Sequence, residues 1–206
     1  MKAMNLHQTT DLDRQPLAAL PPRERIRRTA SDLFHRRSIH TVGIDRIIAE
    51  SGVAKMTFYK HFPSKACLIT DYLRSQAAAW MYMLVSATER PGLTPLERIL
   101  AIFDALNASF QERPFRGCPF VKGLAEFGPD GDTPQIQAMI NTYFEDLDRL
   151  ITGLIEPLNL ADSRQAVLQI LSLIQGAIVM AQATYGEGVG SASRDAARVL
   201  LESQGA

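Results

Sequence analysis

The sequence predicts an all-α protein of about nine helices, because helix-starting signals recur along it and alternating strand patterns hardly occur. Apolar residues between those signals fall at i, i+3 and i+4, the spacing of one helix face. Residues 41–65 also place two short segments on either side of Gly52, the layout of a helix-turn-helix. The architecture implied is an N-terminal three-helix head joined by a long helix to an α-helical body.

Taken in order, Pro21-Pro22 opens the first helix, which runs to about Arg37 with Ile26, Ala30, Leu33 and Phe34 as its buried stripe. The second covers Ile44 to Glu50 and aligns Ile44, Ile47 and Ile48 on one face. Gly52 supplies the turn, since glycine reaches positive φ without a Cβ penalty, and Val53 begins the third helix. There Phe58 and Phe62, at i and i+4, anchor the helix against its neighbours. Ser64 caps the fourth, which extends from Lys65 to about Thr88 and acts as a lever between head and body. Thr94-Pro95-Leu96-Glu97 is a capping box with proline at the first helical position, and its helix ends near Glu112, before Pro114. A short helix follows over Pro119–Phe127, then the loop Gly128-Pro129-Asp130-Gly131-Asp132. Thr133-Pro134 opens a helix to about Glu156, and Asp162 with Gln165 opens one that reaches Tyr185. Gly186-Glu187-Gly188-Val189-Gly190 breaks it, and Ser191 caps a last helix carrying Ala192, Ala196, Val199 and Leu200.

With 206 residues, 46% of them hydrophobic, the chain can bury a sizeable core in one or two domains. Its net charge is zero, but residues 1–75 hold 13 Lys and Arg against 7 Asp and Glu, while residues 76–206 hold 9 against 15. The N-terminal third is therefore basic by +6 and the remainder acidic by −6. That asymmetry fits a module that docks on phosphates, attached to a part that does not. Two cysteines are too few for a disulfide framework, and no apolar run is expected to approach the ~20 residues of a membrane span. The first 20 residues lack the apolar stretch of a secretory signal and read as a polar arm without an assigned role, so a cytoplasmic protein is expected.

The outer face of the third helix carries Lys55, Met56, Thr57, Tyr59, Lys60 and His61. Cations for phosphates, a hydroxyl, a flat phenol and an imidazole form the mixture that positions a helix on a duplex and reads base edges. Over residues 47–65, Ile-Ile-Ala-Glu-Ser-Gly-Val-Ala-Lys-Met-Thr-Phe-Tyr-Lys-His-Phe-Pro-Ser-Lys resembles the signature of tetracycline-repressor-like (TetR/AcrR) transcriptional regulators. Arg25, Ile26, Ala30 and Phe34 extend the resemblance, which covers residues 23–70. It implies a nine-helix fold with a flexible arm at 1–20, a DNA-binding domain at 21–70 and an effector-binding, dimerising domain at 71–206. The outer-face residues Lys55, Thr57, Tyr59, Lys60 and His61 are expected to hold a palindromic double-stranded operator, with Lys65 on a flanking phosphate and Met56 in apolar contact with a base or sugar. Ala54 and Gly43 depart from the family, which often has hydroxyl residues there. A lost cap of that kind typically costs ~1 kcal/mol.

Outside the head, the helix at 162–185 is apolar on two sides. Ile170, Ile174, Ala177 and Ala181 form one stripe and Leu168, Ser172, Gln175, Val179 and Gln182 the opposite face. The second face, with Ala196 and Leu200 of the last helix, suits a four-helix interface in a homodimer. Two heads are also what reading a palindrome requires, in successive major grooves ~34–36 Å apart. Trp80, Met83, Phe103, Asn107, Phe110, Phe115, Phe120, Phe127, Met139 and Tyr143 gather apolar and aromatic groups that either fill the core or line a pocket for a small hydrophobic or aromatic effector. Asn107, Glu126 and Tyr143 are the candidate polar anchors of such a pocket. Cys118, next to Arg116 and a helix start, offers the alternative of a thiol-responsive repressor or an activator of the same fold.

No catalytic set emerges, because His7, His35, His40 and His61 all lie in the arm or head. His35 and His40 near Asp32 lack the ligand spacing of structural zinc, so neither metal nor cofactor is expected. Glu145, Asp146 and Asp148 read as a solvated helix face. The sequence thus points to a dimeric DNA-binding regulator, most simply a repressor released by an effector, and not to an enzyme.

Overall fold

The computed structural model describes residues 15–112, 115–128, 133–184 and 186–205. Among them are nine α-helices, two short 3-10 turns and no strand. The helices are α1 (Pro22–Arg36), α2 (Ile44–Ser51), α3 (Lys55–His61), α4 (Lys65–Thr88), α5 (Pro95–Gln111), α6 (Pro119–Phe127), α7 (Pro134–Ile155), α8 (Ser163–Thr184) and α9 (Val189–Ser203). They fall into two compact units. The head unit gathers the described residues up to Ala78 with Pro119–Thr142, and the body unit gathers Ala79–Cys118 with the chain from Tyr143 onward.

In the head unit, α1 packs on α2 and α3 through the stripe expected of it, with Ile26, Ala30, Leu33 and Phe34 all buried. Phe34 meets Tyr72 of α4 edge-on at 5.3 Å, while Ile47 and Phe58 close the core from α2 and α3. Arg23 and Arg27 both reach the carboxylate of Asp71 on α4, each at 2.7 Å. Burial lowers the pKa of Arg27, but Asp71 and Glu24 more than offset this, so the guanidinium is held charged. Leu17–Ala19 form a 3-10 turn, Leu20 is buried, and Arg28 donates to the Gln15 carbonyl at 2.7 Å. Residues 15–20 of the polar arm thus lie along α1, and residues 1–14 lie outside the described residues.

In the body unit, α9 packs on α5 and α8. The approach to α5 is close at Gly190, where a Cβ would stand 2.4 Å from Cβ of Asn107, so only glycine fits. The capping box forms as expected. Glu97 N–H donates to Thr94 Oγ1 at 3.2 Å and Thr94 N–H to Glu97 Oε2 at 2.9 Å, which holds the Glu97 carboxyl below its usual range. Arg98 donates to the Thr88 carbonyl at 2.9 Å and fixes the α4–α5 turn. Asp162 caps α8 by accepting from the Gln165 N–H at 2.9 Å.

Three local expectations are corrected. The third helix begins at Lys55, not Val53, because Ala54 keeps extended backbone as N-cap. Ser191 does not cap the last helix. Gly188, at φ 71°, is the N-cap and the helix starts at Val189, while the Ser191 hydroxyl donates back to the Gly188 carbonyl at 3.0 Å. Lastly, α8 is long and apolar enough to cross a membrane by composition, which the reading of apolar runs did not anticipate. One face of it, Ile170, Ile174, Ala177 and Ala181, is buried in the body core, and Arg164 pairs with Asp148 at 2.6 Å.

Candidate nucleic-acid interface

The turn between α2 and α3 is built around Gly52 at φ 63°, in the left-handed region where a side chain is strained. Arg25 of α1 clamps it. Its Nε donates to the Ser51 carbonyl at 2.9 Å and its Nη2 to the Gly52 carbonyl, so a cation satisfies the exposed carbonyls at the end of α2. Neither Gly43 before α2 nor Ala54 before α3 makes a side-chain cap, as those residue types require.

On α3 the inward and outward faces separate sharply. Phe58 is 0% exposed and Phe62, the C-cap, is buried against it, with the rings 6.3 Å apart. Arg23 lies 5.3 Å over the Phe62 ring. On the other side, Met56 is 81% exposed and Tyr59 38%, with Lys55 and Lys60 also exposed. Thr57 and His61 are half-buried at the edges of this face. The Tyr59 ring rests edge-on against Phe58 at 5.4 Å, so an exposed phenol stands on a buried anchor.

Lys65 sits differently from the other predicted contacts. Its Nζ donates to the His40 carbonyl at 2.6 Å, and partial burial lowers its pKa against the pull of Glu126. It is engaged within the head.

Glu126 is not available as a pocket anchor, because its carboxylate accepts from the Ile39 N–H at 3.1 Å and the His40 N–H at 2.6 Å. One turn earlier on α6, Lys122 donates to the carbonyls of Phe34 at 3.0 Å and Arg37 at 2.5 Å. The cation closes the C-terminal end of α1 and the carboxylate caps free N–H groups beyond it, each with the favourable sign. Neither role was legible in the sequence, which offered Glu126 only as a pocket anchor and gave Lys122 no role. Arg25 was noted only as part of the family pattern.

Of the residues suggested for an effector, Trp80, Met83, Phe103, Asn107, Phe110 and Tyr143 belong to the body unit, and Phe120, Phe127 and Met139 to the head unit. Trp80, Phe103, Phe110, Phe120 and Tyr143 are buried, the others partly so. Phe115 meets Phe110 at 4.9 Å, and Phe127 lies edge-on to His40 at 6.2 Å. Burial pushes the Tyr143 phenol well above its ordinary pKa, helped by its hydrogen bond with Cys118. Among the described residues, no group of three metal-ligating side chains comes together.

The face suggested for dimerisation is open in the single chain. Leu168 and Val179 are each 49% exposed and Val199 67%, with Met180, Ser172, Gln182 and Ala196 exposed beside them. Leu168, Ser172 and Leu200 line a groove of about 400 Å³ with Gln165, Gln169 and Leu173. Gln175 holds both polar side-chain atoms buried without a partner, and Gln182 rests on Gly117.

A glycine-turned helix pair whose second helix presents cations and a phenol to solvent has the layout of a helix-turn-helix DNA-binding head. Residues 26–71 match the model described as bacterial regulatory proteins, tetR family. Among solved structures, the fold is similar to SCO4454, a TetR-family transcriptional regulator from Streptomyces coelicolor, with TM-score 0.82 and 26% identity over 90% of this chain and 96% of that one. It is also similar to a TetR transcriptional regulator from Chloroflexus aurantiacus, with TM-score 0.75 and 20% identity over 89% and 95% of the two chains. A third is the regulator sav143 from Streptomyces avermitilis, with TM-score 0.71 and 24% identity over 86% and 98%. Among curated proteins, none matches the chain. Residues 26–71 thus match the DNA-binding region of that family, and the fold over most of the chain is similar to that of TetR-family transcriptional regulators.

Proposed function

We propose that the protein is a cytoplasmic homodimeric repressor that occludes a palindromic operator and releases it when a small hydrophobic or aromatic molecule binds the body. The separation of faces on α3 carries this reading, since Phe58 is fully buried while Met56, Tyr59, Lys55 and Lys60 stand in solvent. Thr57 and His61 widen that face, and Lys65 would add a flanking phosphate contact by leaving the His40 carbonyl. The exposed apolar face of α8 and α9 supports a second copy, because large apolar patches on soluble chains mark interfaces. Trp80, Met83, Phe103, Asn107, Phe110 and Tyr143 supply aromatic and thioether groups suited to an apolar effector. Its binding would act through α4, which begins in the head unit and ends in the body unit. Burial of Cys118 beside Tyr143 favours ligand release over a thiol switch, because reactive thiols are partly exposed.

Selection of random duplex DNA by the purified chain at moderate salt tests the proposal. An inverted repeat is expected to be enriched. Recovery of no sequence, with only weak salt-sensitive binding, would remove operator reading from this protein.

A further inference from the structure

We infer that Met56 sets part of the operator specificity by seating its thioether chain against the C5-methyl group of a thymine in each half-site. This rests on the proposed role of α3 and adds the identity of a base. Among the described residues, Met56 is the most exposed large hydrophobic residue, 81% open to solvent on a helix whose opposite face is a closed aromatic core. Two positions before Phe58, it is turned about 200° away from the buried side and takes no part in packing the head. Its neighbours Lys55 and Lys60 are exposed cations, and the N-terminal third of the chain carries the +6 excess, so the surface around this apolar side chain complements a polyanion and not an apolar protein.

Within a DNA groove, apolar groups are scarce. The major groove offers one apolar mark that differs between base pairs, the methyl of thymine, and the remaining edges are donors and acceptors that a thioether cannot satisfy. Met56 is unbranched and adapts to the position of a methyl group, while Tyr59 and the lysines fix the helix over it. A methionine facing a guanine or cytosine edge would instead strand polar atoms.

The test uses the full chain and the duplex it enriches from a random pool, beside the same duplex synthesised with deoxyuridine for thymidine, which removes only the methyls. Wild type is expected to bind the deoxyuridine duplex roughly fourfold more weakly per half-site, the equivalent of one buried methylene-sized group. Met56→Ala is expected to bind both duplexes alike, and Met56→Leu to keep the preference. Circular dichroism checks that the variants keep their helices. Equal binding of both duplexes by wild type, a preference that survives Met56→Ala, or an enriched repeat without thymine would each overturn the inference while leaving operator reading intact. Failure to enrich any duplex would overturn operator reading itself.

Discussion

Two surfaces of this chain are left over from its cores, the outer face of α3 and the outer face of α8 with α9, and they differ in kind. On α3 an exposed methionine and tyrosine stand among lysines. On α8 and α9 the exposed residues are Leu168, Val179, Met180 and Val199 among serine, glutamine and alanine. Both are backed by buried stripes, so neither is needed to fold the chain. Cations beside an apolar tip complement a phosphate polymer with methyl marks, whereas neutral apolar and amide groups complement another copy of themselves. Charge thus separates the two surplus surfaces, in line with the two different partners proposed for them.

The largest effect expected comes from making the second surface resemble the first in polarity. Leu168→Asp together with Val199→Asp places carboxylates where a partner helix would bury them. The variant is expected to sediment as a folded monomer and to lose about 100-fold or more in operator affinity. A variant that stays dimeric would move the interface elsewhere.

Next comes the scaffold of the first surface. Arg25→Ala leaves the Ser51 and Gly52 carbonyls without their cation, and a loss of about 1–3 kcal/mol is expected in denaturant unfolding. Gly52→Ala puts an L side chain at φ 63° and is expected to cost about 1–2 kcal/mol in the same assay. If neither variant is destabilised, the turn does not hold α3 in place.

A smaller effect isolates the chemistry of the face from its shape. Tyr59→Phe keeps the ring on Phe58 and removes only the hydroxyl, so operator binding is expected to weaken about tenfold with unchanged stability. Unchanged binding would take the phenol out of the contact set.

Smallest is a titration in the body, whose interior differs from the open head surface. Tyr143 stays protonated to higher pH in the folded chain than when unfolded, because burial and then Cys118 raise its pKa. Its share of stability is therefore whole below the unfolded value near 10, and is lost as pH rises from there through the folded value. Unfolding followed above that pH should show less loss in Tyr143→Phe than in wild type.

Much of the fold was legible because local chemistry decided it. Thr94 with Glu97, Ser64 before α4 and the Phe58–Phe62 spacing act within four residues, and the structure forms each of them. The outer face of α3 was legible for the same reason, as whatever Phe58 and Phe62 leave outside. What escaped was long-range or backbone-directed. Lys122 and Glu126 serve carbonyls and N–H groups 85 to 88 residues away, with no local pattern to mark them. Lys65 looked free because its partner is a backbone carbonyl 25 positions earlier. Ser191 misled because a glycine in the left-handed conformation can begin a helix without any side-chain cap, and Gly188 does so three residues before it.

The most direct test is a titration of the enriched duplex with wild type and Lys60→Ala across salt concentrations, with bound stoichiometry measured alongside. Two chains per operator are expected. The slope of log affinity against log salt should become shallower by ~1.8 in the variant, one phosphate contact for each of two heads at about 0.9 per contact. An unchanged slope would contradict the placement of DNA on α3, and a change of about half that size with one chain bound would contradict the dimer.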